Sequence, residues 1–160
     1  MEGDDTPNGT PATVVDLSRM ADLVGSHVGF SQWHEVTQEQ VNGFAEATLD
    51  YQWLHVDVER ARTGPFGGCI AHGYLTLSLG PRLLEDILEV QGSSRTLNYG
   101  LNRVRFPTPV AVGSRVRLGA ELASVEEVTG SLQAVFSFTF EVEGHEKPAC
   151  FAEAVFRYYP

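Results

Sequence analysis

Hydrophobic and polar residues alternate along the second half of the chain, with the period of strands that bury one face. The alternation marks three stretches, residues 96–106 form a fourth extended one, and turns such as VTGS and EGHEK separate them. The alternating apolar positions are Val116, Leu118, Ala120 and Leu122; Leu132, Ala134, Phe136, Phe138, Phe140 and Val142; and Cys150, Ala152, Ala154, Phe156 and Tyr158. We therefore predict four long antiparallel strands.

The longest apolar run of the chain precedes these strands. Over residues 70–90 the apolar positions cover nearly the whole circumference of a helix, which predicts a helix that the rest of the fold encloses. Pro81 lies inside the run and should kink or divide the helix, and Gly92 and Ser93 should end it. Helices followed by strands indicate an α+β fold, with the antiparallel sheet curled around the long helix.

Shorter elements are expected in the first half of the chain. Thr37, with Gln40 three residues later, has the pattern of a capping box and predicts a helix over residues 38–49. Asp57 can cap another short helix over residues 58–61. Alternating apolar positions over residues 25–36 favour a first strand.

The N-terminal part of the chain divides into a tail and the start of the folded domain. Residues 1–12 contain almost no large apolar side chain, so we expect a loose tail before a single domain over residues 13–160. At the start of that domain, residues 17–23 can form a short helix that Asp16 or Ser18 begins.

Composition excludes some classes of function. A chain of 160 residues with 42% hydrophobic and 20% charged residues has the size of one compact domain. Its formal net charge of −10 disfavours nucleic acid as a partner, because phosphate binding relies on Lys and Arg. Cys69 and Cys150 are isolated, as expected of reduced thiols in the cytoplasm. No apolar run is long enough for membrane insertion.

The candidate chemistry lies in residues 44–80. Asp50 stands five residues before His55, and the turn GPFGG and the tripeptide AHG follow. An acid and a base beside one water molecule can exchange protons with a double bond, and histidine titrates near neutrality. From the spacing alone another interpretation stays open, in which Asp50 caps a turn and His55 is a packed, hydrogen-bonded core residue.

Residues 44–73 resemble the MaoC-like hot-dog dehydratases, a family that includes the R-specific enoyl-CoA hydratases and NodN-like proteins. The resemblance is carried by the acid at a helix end, the histidine within LHVD, the small residue Ala61, and FGG followed by IAHG. The chain departs from the family where Gly commonly precedes the acid and Asn-Pro follows it. Here Leu49 precedes Asp50, and Gln52-Trp53 replace Asn-Pro.

The resemblance implies a hot-dog fold, a homodimer and a hydratase that interconverts 2-enoyl and (R)-3-hydroxyacyl thioesters. Asp50 and His55 would bind the reacting water, and which of them is the base is left open. The N–H of Gly73 would stabilise the enolate oxygen, since the first N–H groups of a helix are unpaired. The thioester of CoA or an acyl carrier protein would be the substrate, and no further cofactor is implied.

Other residues near this stretch are candidates for substrate binding. Gln52 can supply an amide, and Trp53, Tyr51 and Phe66 can line an acyl channel or belong to the core. His72 can touch substrate or hydrogen-bond a neighbouring loop, and we favour the loop. A CoA phosphate could bind near three polar residues of the first long strand, where such side chains also simply face solvent. These residues are Asn102, Arg103 and Arg105.

The residue types also suggest two further kinds of site, a metal centre and a nucleophilic cysteine, and leave two rival functions open. Asp50, His55, Asp57 and His72 include metal-ligand types, but their spacing matches no metal motif, so no metal site is predicted. Cys69 lacks an activating base and is not expected to be a nucleophile.

An acyl-thioester hydrolase on the same fold is the rival enzyme, and a non-catalytic acyl-binding domain is the rival from another class of function.

Overall fold

The computed structural model describes residues 11–160, so most of the expected tail lies outside the described residues. Its strands are β1 (Thr13–Asp16), β2 (His27–Phe30), β3 (His34–Glu35), β4 (Leu88–Gln91), β5 (Arg95–Arg105), β6 (Arg115–Val128), β7 (Ser131–Val142) and β8 (Cys150–Tyr159). Its helices are α1 (Gln38–Thr48), α2 (Trp53–Val56), α3 (Val58–Arg62), α4 (Gly73–Ser78) and α5 (Gly80–Glu85), with a 3₁₀ helix over Leu17–Leu23. None of these helices is long and apolar enough to cross a bilayer.

The four long strands β5 to β8 are confirmed and belong to one antiparallel sheet. The sheet has the order β2-β6-β7-β8-β5, and β3 pairs with β6 beside β2. Irregularities interrupt the pairing in β2, β5 and β6. Such bulges bend strands and increase their twist, so they help this sheet to curve as an α+β hot-dog fold requires.

The core lies between the sheet and the helices. The phenylalanines of β7 that point inward, Phe136, Phe138 and Phe140, are at most 1% exposed. Helix α5 begins directly against them, because a Cβ atom on Gly80 would lie only 3.1 Å from ring carbons of both Phe138 and Phe140. The absence of a side chain at Gly80 therefore lets the helix approach the sheet.

The expected helix over residues 70–90 is wrong at both ends. It begins only at Gly73, because Ile70 pairs with Ala111 in an isolated β-bridge. It ends at Glu85, and Leu88–Gln91 instead forms β4, which pairs in parallel with β1. Neither β1 nor β4 was expected from the sequence, since four-residue strands show too few alternations to be recognised.

The division of this helix near Pro81 is confirmed, but its complete enclosure is not. Helix α4 ends at Ser78 and α5 begins at Gly80, as expected because proline has no N–H to continue the helix. One face of the two helices is exposed to solvent in the single chain. The exposed residues are Tyr74, Ser78, Arg82 and Glu85.

Three expected helix starts are confirmed by their caps. Asp16 Oδ1 accepts a hydrogen bond from the N–H of Ser18 at 2.9 Å and begins the 3₁₀ helix. Thr37 Oγ1 accepts a hydrogen bond from the N–H of Gln40 at 3.2 Å and begins α1. Asp57 Oδ1 accepts one from the N–H of Arg60 at 3.0 Å and begins α3. The short helix α2 was not expected.

The single strand expected over residues 25–36 is wrong. It is divided into β2 and β3, and at the division the hydroxyl of Ser31 accepts a hydrogen bond from the N–H of Leu118 at 2.9 Å. A side-chain oxygen thus takes the place of a backbone carbonyl in the pairing with β6.

Candidate active site

Three neighbouring segments bring the candidate residues together. Asp50 lies in the four-residue loop between α1 and α2, His55 lies in α2, and Gly73 is the first residue of α4. The loop connects to the rest of the site through the hydrogen bond between His72 and Asp50, with 3.0 Å between His72 Nε2 and the Asp50 carbonyl oxygen. Candidate residues from the segment 44–73, which carries the resemblance, therefore meet in one compact site.

Leu49 places the acid in a strained piece of backbone. Its φ of 61° and ψ of 23° are left-handed, and no other non-glycine residue in residues 11–160 has a positive φ. A side chain in this conformation costs roughly 1–2 kcal/mol. The MaoC-like pattern commonly has Gly here, so the departure at Leu49 carries a conformational cost that glycine would avoid.

His55 has a fixed tautomer. Its side chain is buried, with 7% of the residue exposed, and its Nδ1 lies 2.7 Å from the carbonyl oxygen of Ile70. Because a carbonyl only accepts hydrogen bonds, Nδ1 carries the hydrogen and Nε2 carries the lone pair. The amide of Gln38 donates to the carbonyl of His55 at 2.8 Å and holds its backbone from the α1 side.

The environment of His55 keeps the ring neutral. Burial is the main cause that lowers its pKa from 6.5, because removal from water disfavours the charged imidazolium. The carbonyl of Ile70 opposes this effect, nearby His72 lowers the pKa further, and the charge of Asp50 raises it. At neutral pH His55 therefore has an available basic nitrogen.

Asp50, His55 and His72 form one cluster. One ligand atom from each of them lies within 4.8 Å of the other two, and the Asp50 side chain is 54% exposed. Two hydrogen bonds of about 2.8 Å can meet at one water molecule over such a distance. The cluster thus holds a carboxylate and a neutral imidazole within a distance that one water molecule can bridge.

The same cluster has the ligand types that bind zinc, but one of its donors is engaged. His72 Nε2 donates its hydrogen to the Asp50 carbonyl, so this nitrogen has no free lone pair. Asp57, the fourth residue considered for a metal, caps α3 instead. Zinc needs each ligand atom at about 2.0–2.2 Å from one ion, and of the two nitrogens of His72 only Nδ1, which has no partner among the described residues, could serve without breaking the bond to Asp50.

Gly73 faces a cavity of about 240 Å³ beside His55. As the first residue of α4 it has no acceptor for its N–H within the helix. Phe106 covers the Cα of Gly73 so closely that a Cβ atom there would lie 3.0 Å from the ring. Phe66 lines the same cavity, so an N–H donor, a base and aromatic walls share one space.

The remaining candidates lie elsewhere. Gln52 is exposed at the start of α2, and Trp53 packs its ring under the guanidinium of Arg60 at 4.3 Å. Tyr51 is 56% exposed, and neither Tyr51 nor Trp53 lines the cavity of His55. These placements bring Phe66, but not the two other aromatic candidates, to the cavity wall.

The candidates for phosphate binding lie on β5 and do not line this cavity. All three residues, Asn102, Arg103 and Arg105, are exposed on that strand, and a guanidinium nitrogen of Arg105 donates to the carbonyl of Val104 at 2.7 Å.

Cys69 is buried, and burial raises the pKa of its thiol, which disfavours the reactive thiolate.

Sequence reasoning missed several residues of the site. The cavity wall includes Phe106, Pro109 and Val110, which come from the turn after β5. The proline-rich sequence PTPV was a signal of an ordered loop, but nothing in it indicated where the loop packs. The contacts from Gln38 and Ile70 to His55 could not be found either, because both depend on tertiary packing.

Comparison with known proteins places the chain in a family. The family model for the MaoC like domain matches residues 19–137. The chain belongs to the MaoC-like family. The 3-hydroxyacyl-thioester dehydratase Z of Mycobacterium tuberculosis is 53% identical over 147 residues, covering 91% of this chain and 97% of that protein. Nodulation protein N of Rhizobium meliloti is 40% identical, covering 84% of this chain and 86% of that protein.

Solved structures of the MaoC-like family share the fold. The (R)-hydratase from A. caviae superimposes with a TM-score of 0.69 and 26% identity, covering 84% of this chain and 97% of that one. The MaoC-like dehydratase from Rhodospirillum rubrum also has a TM-score of 0.69, at 21% identity, and covers 88% of this chain and 95% of that one. The expected hot-dog fold is confirmed.

Leu49→Gly is expected to stabilise the protein by about 0.5–1 kcal/mol, because glycine adopts the left-handed conformation without the side-chain clash. Little packing is lost, since Leu49 is 76% exposed. The measurement is urea unfolding, with Leu49→Ala as the matched control that also removes the side chain beyond Cβ. Equal stability of the two variants would contradict strain at this position.

Proposed function

We propose that the protein is a hydro-lyase that adds water to 2-enoyl thioesters to form (R)-3-hydroxyacyl thioesters, and removes it in reverse. The observation that carries the proposal is the Asp50–His55 pair, held within 4.8 Å beside a cavity that Gly73 also lines. The 53% identity to a protein named 3-hydroxyacyl-thioester dehydratase supports the same reaction.

Neutral His55 acts as the base towards water. Its Nε2 takes one proton from water as the oxygen bonds to C3 of the enoyl group, and the electrons of the double bond move to the thioester oxygen. The resulting enolate then takes the proton from Nε2 at C2, which restores the carbonyl and neutral His55. The carboxylate of Asp50 accepts a hydrogen bond from the other hydrogen of the water and fixes its position.

The N–H of Gly73 stabilises the negative charge that develops on the thioester oxygen. A donor already in place lowers the transition state without reorganisation, and such donors contribute about 2.7–4 kcal/mol in other enzymes. Phe66 and Phe106 give the cavity around this oxygen aromatic walls. CoA or phosphopantetheine enters only as part of the substrate, and these steps use no other cofactor.

The active protein is a homodimer in which two copies pair through β5. β5 is the last strand of the sheet, and three of its apolar residues, Leu97, Tyr99 and Leu101, are between 47% and 58% exposed. An exposed apolar edge strand is a site for pairing, and a second copy can extend the sheet there. Light scattering should give twice the mass of 17.5 kDa, whereas a monomer would contradict this assembly.

The dyad is tested by the hydration of crotonyl-CoA, followed as loss of the enoyl absorbance. Asp50→Asn and His55→Ala should each lower kcat by about 10²–10⁴-fold. The kcat of the double variant should be little lower than that of the less active single variant, because the effects of groups that act as a unit are not additive. Asp22→Asn and His145→Ala are matched controls, since both residues are exposed outside the site.

A thiol reagent in the same assay separates the rival functions. Hydration leaves the thioester intact, so no free CoA should appear while the enoyl absorbance falls. Release of thiol at the rate of enoyl loss would identify a thioester hydrolase. Binding of crotonyl-CoA without any turnover would identify a non-catalytic acyl-binding domain, and either result would contradict the proposal.

The pH dependence of kcat/KM should report His55. Because burial lowers its pKa below 6.5, the neutral base persists to lower pH than in a free imidazole. Activity should therefore be level near neutrality and fall through an inflection below pH 6.5 as His55 becomes protonated. Steady-state rates between about pH 5 and pH 8 measure this profile, and an inflection above 6.5 would contradict the neutral base.

A further inference from the structure

His72 is buried beneath the proposed catalytic pair and touches both of its members. The residue is 3% exposed. Its ring stacks on that of His55 with centroids 3.8 Å apart and an angle of 26°. Its Nε2 lies 3.0 Å from the backbone carbonyl of Asp50. A third neighbour is Phe44 of α1, whose ring centroid lies 5.0 Å away.

The hydrogen bond to Asp50 fixes the tautomer of His72. A carbonyl oxygen only accepts, so the hydrogen of the neutral ring is on Nε2 and the lone pair is on Nδ1. Nδ1 is buried without a hydrogen-bond partner among the described residues. Buried polar atoms of this kind are uncommon and call for a reason. This orientation of the ring leaves Nδ1 without a partner, but it lets Nε2 donate a hydrogen bond to the carbonyl of Asp50.

The loop that carries Asp50 has few other restraints. Leu49 holds it in a strained conformation, and the N–H of Gln52 reaches the Asp50 carboxylate only at 3.4 Å. His55, by contrast, is held by Ile70 and by Gln38. The base is thus fixed from two sides, whereas the acid depends on the hydrogen bond from His72.

We infer that His72 is a positioning residue, whose Nε2–H bond to the Asp50 carbonyl and stacking on His55 set the separation of the acid and the base. This role rests on the proposed function of Asp50 and His55. His72 itself does not line the cavity of about 240 Å³ where substrate would bind, so it acts through its neighbours. Because His72 directly precedes Gly73, its contacts also connect the Asp50–His55 pair to the start of α4.

Two substitutions separate positioning from simple packing. His72→Phe keeps an aromatic ring against His55 but removes the N–H donor. His72→Gln loses the ring but places an amide N–H near the former position of Nε2. A purely structural role predicts that the apolar phenylalanine is at least as stable and as active as the buried glutamine. Positioning predicts the opposite order of activity.

The experiment measures kcat, KM and thermal unfolding of both variants with crotonyl-CoA. His72→Phe should lower kcat by about 10–100-fold with KM changed less than about threefold, because a displaced acid weakens the transition state more than substrate binding. His72→Gln should recover kcat to within about fivefold of wild type even if it unfolds at a lower temperature. His34→Phe, a half-buried histidine bonded to Gln40, is the control and should leave kcat unchanged.

The possible failures are distinguishable. If wild type does not hydrate crotonyl-CoA, the proposed function is wrong and the role of His72 falls with it. If wild type is active and His72→Phe matches its kcat, the positioning role alone is overturned. Activity that follows unfolding temperature, with phenylalanine above glutamine, would assign His72 to packing and also overturn the inference.

Discussion

The hydrogen bond from His55 Nδ1 to the carbonyl of Ile70 is the interaction on which the candidate site depends. At 2.7 Å it assigns the hydrogen to Nδ1 and leaves Nε2 as the basic atom. It also joins α2 to the segment that leads into α4. Without it the ring could present either nitrogen, and the lone pair of His55 would have no fixed position relative to Asp50 and Gly73.

The rest of the fold keeps this bond in place. The neighbouring Ala71 donates its N–H to the carbonyl of Val110 at 2.8 Å, and α5 packs through Gly80 against the phenylalanines of β7. Ile70 is therefore held between the turn after β5 and the helices that lie on the sheet. The buried sheet provides the rigid support, and the exposed loop of Asp50 provides access to water.

The sequence predicted those parts that depend on local patterns. The long strands β6 to β8 follow from alternation, β5 was predicted as a further extended stretch, and the caps at Thr37 and Asp57 follow from residue type and spacing. The Asp50–His55 pair and Gly73 were found because the MaoC-like pattern is itself a local sequence.

Features that depend on distant contacts were not predictable. β4 was assigned to a helix because its four residues continue an apolar run, and only pairing with β1 makes them a strand. The role of Ile70 as hydrogen-bond acceptor belongs to a backbone carbonyl, which any residue type would supply. The conformation of Leu49 was hidden because leucine gives no signal of a left-handed turn.

In the proposed mechanism a single base, His55, directs the hydroxyl and the proton of one water molecule to the same face of the enoyl thioester. The most direct measurement is NMR analysis of the product formed from crotonyl-CoA in D₂O. The account predicts an (R)-3-hydroxyacyl thioester with one deuterium at C2, on the face to which the hydroxyl was added. An (S) product, or deuterium on the opposite face, would contradict it.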